Sequence, residues 1–147
     1  MIKRIIGTML VLLASHLPAN EGEYPGLSVT QAWVKAPMPG MMMTAAYFEL
    51  TNEGVEPITL IGVKTSFSKV SELHDMVMEE GVMQMRHADA GWVIKAGAQL
   101  SLTPGGKHAM LMGLHENLKV GQEVMIELNF AGIGWMPIMA QVSKMKP

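Results

Sequence analysis

The sequence predicts an all-β fold, a sandwich or barrel of Greek-key type. Two observations carry this expectation. From Leu27 onward, short runs of alternating apolar and polar residues are separated by Gly, Pro and Asn signals, and no stretch after residue 26 holds apolar residues at helical spacing for three turns. Many evenly spaced short strands of this kind are the pattern of antiparallel sandwiches and barrels. The length of 147 residues suits one such domain with room for a core.

In chain order, Met1-Ile2-Lys3-Arg4 and the apolar residues 5–14 have the charged start and short apolar run of a secretory signal. Ten or so apolar residues are too few for a permanent membrane-spanning helix. Cleavage is expected after Ala19, with an uncleaved anchor as the alternative, because Leu17 is a poor residue three positions from the end of a signal. Removing residues 1–19 takes Lys3 and Arg4 away and lowers the formal charge from −2 to −4. Residues 20–26 read as a polar linker ending in a Pro25-Gly26 turn, 27–142 as the domain and 143–147 as a short tail. No second apolar run is long enough to span a membrane.

The predicted strands cover residues 27–35, 45–52, 58–65, 70–78, 82–87, 92–94, 99–102, 109–114, 123–130 and 134–142. Turn chemistry falls between them at Asn52-Glu53-Gly54, Glu79-Glu80-Gly81, Ala90-Gly91, Pro104-Gly105-Gly106 and Lys119-Val120-Gly121. If Glu80-Gly81 is a two-residue hairpin loop, Met78 faces Met83, Met76 faces Met85 and His74 faces His87. His74 and Met85 then become diagonal neighbours on one face, roughly 7 Å apart and within reach of one metal ion.

Composition excludes several function classes. With only 16% charged residues there is no basic stripe for nucleic acid and no acidic tail. The chain has no Cys, so it is not a thiol oxidoreductase, a Cys-ligated blue-copper protein or a Cys-dependent metallochaperone. No nucleophile turn, paired base or phosphate-cradling Gly loop is present.

Methionine is the outlier, at 16 residues against three Phe, three Trp and two Tyr. Any single Met reads first as a flexible core filler. Three tracks resist that reading, because each places His and Met two residues apart: His74-Asp75-Met76-Val77-Met78, Met83-Gln84-Met85-Arg86-His87 and His108-Ala109-Met110-Leu111-Met112. Alternation along a strand puts these imidazoles and thioethers on one side. Soft, uncharged thioether with borderline imidazole favours Cu(I) over Zn(II), Mg(II) or Ca(II).

The segment from His74 to Leu114, with Gly81-Val82-Met83-Gln84-Met85-Arg86 and Pro104-Gly105-Gly106-Lys107-His108-Ala109-Met110, resembles the PCuAC-type periplasmic copper chaperones. Their signature is a His, ten residues, a Met, about twenty-one residues, then His-x-Met. Here ten residues separate His74 from Met85 and twenty-two separate Met85 from His108; the Asp89-Ala90-Gly91 loop can house the extra one. Gln31-Ala32-Trp33-Val34-Lys35-Ala36-Pro37 and Ala45-Ala46-Tyr47-Phe48 before Asn52 also read like the family's first two strands. The resemblance implies a cupredoxin-like β-barrel holding one Cu(I) through His74, Met85, His108 and Met110. It further implies delivery of copper in the periplasm to the CuA centre of cytochrome c oxidase, often alongside a thiol-based assembly factor; the chain itself reads as a monomer.

Other residues keep plainer readings. His87 stands where the family commonly has proline and reads as a surface residue, with an auxiliary ligand role as the alternative. His115 reads as solvent-facing, and His16 belongs to the signal region. Met76, Met78, Met83 and Met112 read as core first and as a shield around the metal second. Three consecutive Met in the Met38-Pro39-Gly40-Met41-Met42-Met43 loop cannot all face one core, so at least one is expected to be exposed, where it could capture or hand over copper; a loop folded back over the barrel is the alternative. The rivals to a copper chaperone are a copper buffer without a dedicated client, a small copper oxidase or dismutase-like enzyme, and a β-sandwich adhesion module with incidental Met. A four-ligand site leaves no open position for substrate, which argues against the enzyme.

Overall fold

The computed structural model describes residues 24–147, so the signal-like start and His16 lie outside the described residues. Ten strands follow in the order β1 (Leu27–Lys35), β2 (Met43–Asn52), β3 (Ile58–Lys64), β4 (Ser68–Glu79), β5 (Val82–His87), β6 (Trp92–Ile94), β7 (Gln99–Ser101), β8 (His108–Leu114), β9 (Glu123–Phe130) and β10 (Gly134–Ser143). Each overlaps one of the ten predicted from sequence. The main difference is β4, which extends to Ser68 and Glu79 because hydrogen bonding to its two neighbours continues past its apolar positions.

Nine strands form one hydrogen-bonded path, β5-β4-β8-β2-β1-β10-β9-β3-β6, and β7 adds to β2. The path is open, with β5 and β6 at its ends, and it is a cupredoxin-like β-sandwich rather than a closed barrel. It folds over so that one core takes Leu73, Ala109 and Leu111 from one arm and Ile126, Leu128 and Ile138 from the other. β9 and β10 show the underlying period of two: Val124, Ile126, Leu128 and Phe130 point in, as do Met136, Ile138, Ala140 and Val142. Pro137 is tolerated in β10 because β1 begins to pair only at Gln141.

β1 serves both arms. It pairs antiparallel with β2 and, over Trp33 to Lys35, parallel with β10. Its register with β2 shifts between Thr30 and Trp33, where Gln31 takes φ 51°, and beyond that irregularity both Trp33 and Val34 are buried.

The β4–β5 hairpin closes through Glu80 and Gly81, both at positive φ (49° and 81°), which is the twist of a two-residue type I′ loop. The pairing is the one expected from that loop: His74 with His87, Met76 with Met85 and Met78 with Met83.

The expectation that Met76, Met78, Met83 and Met112 fill the core is corrected here. All four lie on the face opposite Leu73 and Leu111, turned away from the core, because they share the parity of His74 and His108. Met136 is the methionine that enters the core.

The β5–β6 loop is held tightly despite its length. Gly91 donates to the carbonyl of Ala88 (2.9 Å) and takes φ +69°, and a Cβ there would fall 2.2 Å from the Leu60 carbonyl oxygen of β3. Gly91→Ala is therefore expected to lower stability by about 2 kcal/mol or more, combining the left-handed backbone cost with a contact that rigid backbone cannot relieve. Urea denaturation reads this directly, and an unchanged midpoint would mean the loop can move aside.

Candidate metal centre

The register of three strands assembles the site. On the outward face of β4, His74 stands directly opposite His87 of β5 and His108 of β8. Met85 and Met110 occupy its two diagonals, opposite Met76 and Glu72 respectively. The His74 and His108 rings meet edge to face at 5.6 Å between centroids, and the His74 and His87 rings are 5.9 Å apart.

The hydrogen bonds fix which nitrogens are available. His108 is buried, 6% exposed, and its Nδ1 donates to the Gly106 carbonyl at 2.9 Å, leaving Nε2 as the lone-pair nitrogen. On His74, Nε2 donates to the Glu72 carboxylate at 2.8 Å, so Nδ1 is the lone-pair nitrogen; it is buried and has no hydrogen-bond partner. An orphaned buried nitrogen is costly unless something else satisfies it. A carboxylate or carbonyl holding the far nitrogen of an imidazole is also the arrangement that orients histidine ligands on metals.

A cavity of about 360 Å³ opens beside these rings, lined by His108, Met85, Met110, Met76 and Tyr47, with the loop after β1 as its other wall. The structure thus brings His108, Met85 and Met110 onto one cavity. His74 does not line it and stands against the His108 ring at its edge. Two neutral imidazole nitrogens and thioethers on both diagonals fit a soft monovalent d10 ion far better than a hard cation.

On the inner side of the sheet a second group clamps the same strands. Asp75, next to His74, accepts from the buried Trp92 Nε1 at 3.0 Å and from Lys107, next to His108. Lys107 also sits 5.0 Å over the Trp92 ring. Partial burial pushes the Asp75 carboxyl up, but the hydrogen bonds from Lys107 and Trp92 and the charge of Lys107 outweigh it and hold it below the usual carboxylate range. The backbone beside both inward-clamped residues is the backbone that carries both imidazoles.

The remaining histidines are placed as follows. His87 is half exposed, with Nδ1 2.9 Å from Asp89. His115 is exposed, as expected, yet bonds through Nε2 to the Ser66 carbonyl at 2.7 Å. Sequence reasoning missed Glu72, the Gly106 carbonyl and the Asp75–Lys107–Trp92 clamp. Glu72 was legible in principle, since it sits two residues before His74 on the same face. The clamp was not, because Trp92 is seventeen residues from Asp75 and on a different strand.

This architecture, a cupredoxin-like sandwich with a His/Met face on its β5-β4-β8 arm, defines the class. Residues 27–142 match the family described as "Putative lipoprotein LpqE-like", and the chain belongs to that family, which is the PCuAC family. "Putative lipoprotein Lxx21020" of Leifsonia xyli subsp. xyli is 37% identical over 133 residues, covering 88% of this chain and 79% of that protein. The solution structure of CuI-DR1885 from Deinococcus radiodurans is 34% identical, with a TM-score of 0.64, and covers 82% of this chain and 80% of its own. The copper-bound PCuAC domain from PmoF2 has a TM-score of 0.67 at 23% identity, covering 83% and 94%, a likeness of fold.

Asp75→Ala should cost about 1–3 kcal/mol, because it strands the buried Trp92 N–H as well as removing its own contacts. A urea midpoint and Trp fluorescence both indistinguishable from those of the unaltered protein would show that the clamp holds nothing.

Proposed function

We propose that this chain is an exported Cu(I) carrier that binds one tightly held ion through His74 Nδ1, Met85, His108 Nε2 and Met110, and gives it to a copper enzyme. The observation that carries the reading is the orphaned, buried Nδ1 of His74, fixed as a lone pair by Glu72 and standing against a second imidazole with thioethers on both diagonals. Copper in the solved relatives supports the choice of metal. Membership of a lipoprotein-like family supports export, and the proposed compartment is the periplasm, reached through a signal in residues 1–19. Among the described residues no helix is long and apolar enough to cross a membrane.

The chemistry is carriage by ligand exchange. Four protein donors leave no position for a substrate, while neutral thioethers bind more weakly than thiolates. An acceptor offering thiolates can therefore draw Cu(I) away without oxidant or nucleotide. The proposed client is the CuA subunit of cytochrome c oxidase or a thiol-based factor that assembles it; a buffer without a client is the second reading, favoured if copper does not move.

Replacing both His108 and Met110 by Ala should abolish tight Cu(I) binding under reducing conditions, as measured by competition with a chromophoric chelator. Undiminished affinity in a variant that keeps its β-sheet circular dichroism would overturn the ligand assignment. In a second experiment, copper-loaded protein mixed anaerobically with a reduced CuA domain should lose most of its metal to the acceptor. Metal that stays on this chain at equilibrium would make it a buffer.

A further inference from the structure

The four-residue site uses only two of the thioethers that its cavity contains. Met38, Met41 and Met43 line the same 360 Å³ space from the opposite wall, where the sequence offered either copper capture and hand-over by an exposed loop Met or a loop folded back over the barrel.

Their placement is built into the backbone. Met38-Pro39-Gly40-Met41 is a β-turn closed by the Met41 N–H donating to the Met38 carbonyl at 2.9 Å, with Gly40 at φ +81°. Pro at the second position and left-handed Gly at the third are the signature of a type II turn, which brings its first and fourth residues within about 7 Å. Met43 follows Met41 by two residues and opens β2, so the two thioethers fall on the same side, while Met42 between them does not line this cavity. The Met42 carbonyl accepts from the Leu114 N–H at 2.9 Å, and Thr44 Oγ1 donates to the Lys35 carbonyl, pinning the loop at both ends. These are exposed apolar side chains, Met38 at 72%, Met41 at 49% and Met43 at 44%, held by an ordered turn rather than tucked into the core.

We infer that Met38, Met41 and Met43 form a second, thioether-only Cu(I) site, weaker and more exposed than the first, through which the ion enters and leaves. Three neutral sulfurs suit a trigonal monovalent d10 ion and reject hard divalent cations. Without imidazole the site binds more weakly. Met76, which faces Met85 across the hairpin and lines the same cavity, gives the ion a sulfur between the loop and the His/Met face. Transfer is exchange of neutral ligands at constant Cu(I), so no electron or proton is consumed.

The inference rests on the His/Met reading for its direction of flow, and the test separates the two. The protein labelled with methyl-13C methionine is titrated anaerobically with Cu(I) under chelator competition, and with Ag(I) as a diamagnetic probe. Two equivalents are expected, the second weaker by roughly tenfold or more, and it should move the methyl signals of Met38, Met41 and Met43. A Met38→Leu, Met41→Leu, Met43→Leu variant keeps side-chain volume on exposed positions and should keep the tight equivalent, lose the weak one and slow uptake. The His108→Ala, Met110→Ala variant should show the reverse, retaining the weak equivalent with the same loop signals moving. Saturation at one equivalent with unmoved loop signals, or a second equivalent that survives in the loop variant, overturns the second site. Loss of the tight equivalent in the loop variant does so too, since it would place those sulfurs in the first site. A tight equivalent that survives His108→Ala, Met110→Ala overturns instead the reading under Proposed function.

Discussion

The pairing register of β4 governs everything that this face of the molecule can do. One strand holds His74 opposite a histidine on each side, and the diagonals of that same position carry Met85 and Met110. Because side chains alternate with a period of two, a slip of one residue would turn His74 and Met76 into the core and expose Leu73. Two devices resist it, one local and one long-range. The Glu80-Gly81 loop fixes the β4–β5 side through its paired positive φ values, and the Asp75–Lys107–Trp92 clamp ties the β4–β8 side from the inner face.

That alternation also separates stability from binding. The core draws on Phe48, Leu50, Leu60, Ile126, Leu128 and Phe130, so folding is expected to proceed without an ion. The methionines on the outer face are spared from packing for the same reason. Leucine would serve a structural face equally well; thioether adds a soft donor and three rotatable bonds, which let diagonal positions converge on one cavity.

What was legible in the sequence follows from how local the cause is. The strands were readable because alternation and turn residues are written within a few positions, and the hairpin register because a two-residue Glu-Gly loop admits few geometries. The pairing of His74 with His108 was reachable only through the family resemblance, since thirty-three intervening residues separate them. The core reading for Met76, Met78, Met83 and Met112 failed because apolar character was taken as a sign of burial. Parity with His74, which was already visible, was the better guide. The crossing of β1 from β2 to a parallel pairing with β10, the Asp75 clamp and the folding of the Met38–Met43 loop over the cavity are all long-range, and no short window of sequence contains them.

A carrier must hold its ion against water and release it to a stronger ligand, and the arrangement of the imidazoles bears on both demands. Glu72 and the Gly106 carbonyl set the His74 and His108 rings in advance, so binding at the proposed site would pay little to order them. Among the described residues no hydrogen bond holds the thioethers of Met85 and Met110, which line an open cavity from diagonal positions. In the proposed site the histidines would define where the ion rests, and the methionines would be the ligands that swing away one at a time while it is replaced. Release through such steps would avoid a naked intermediate, and it would place the rate of hand-over in the sulfur side of the cavity rather than in the rings behind it.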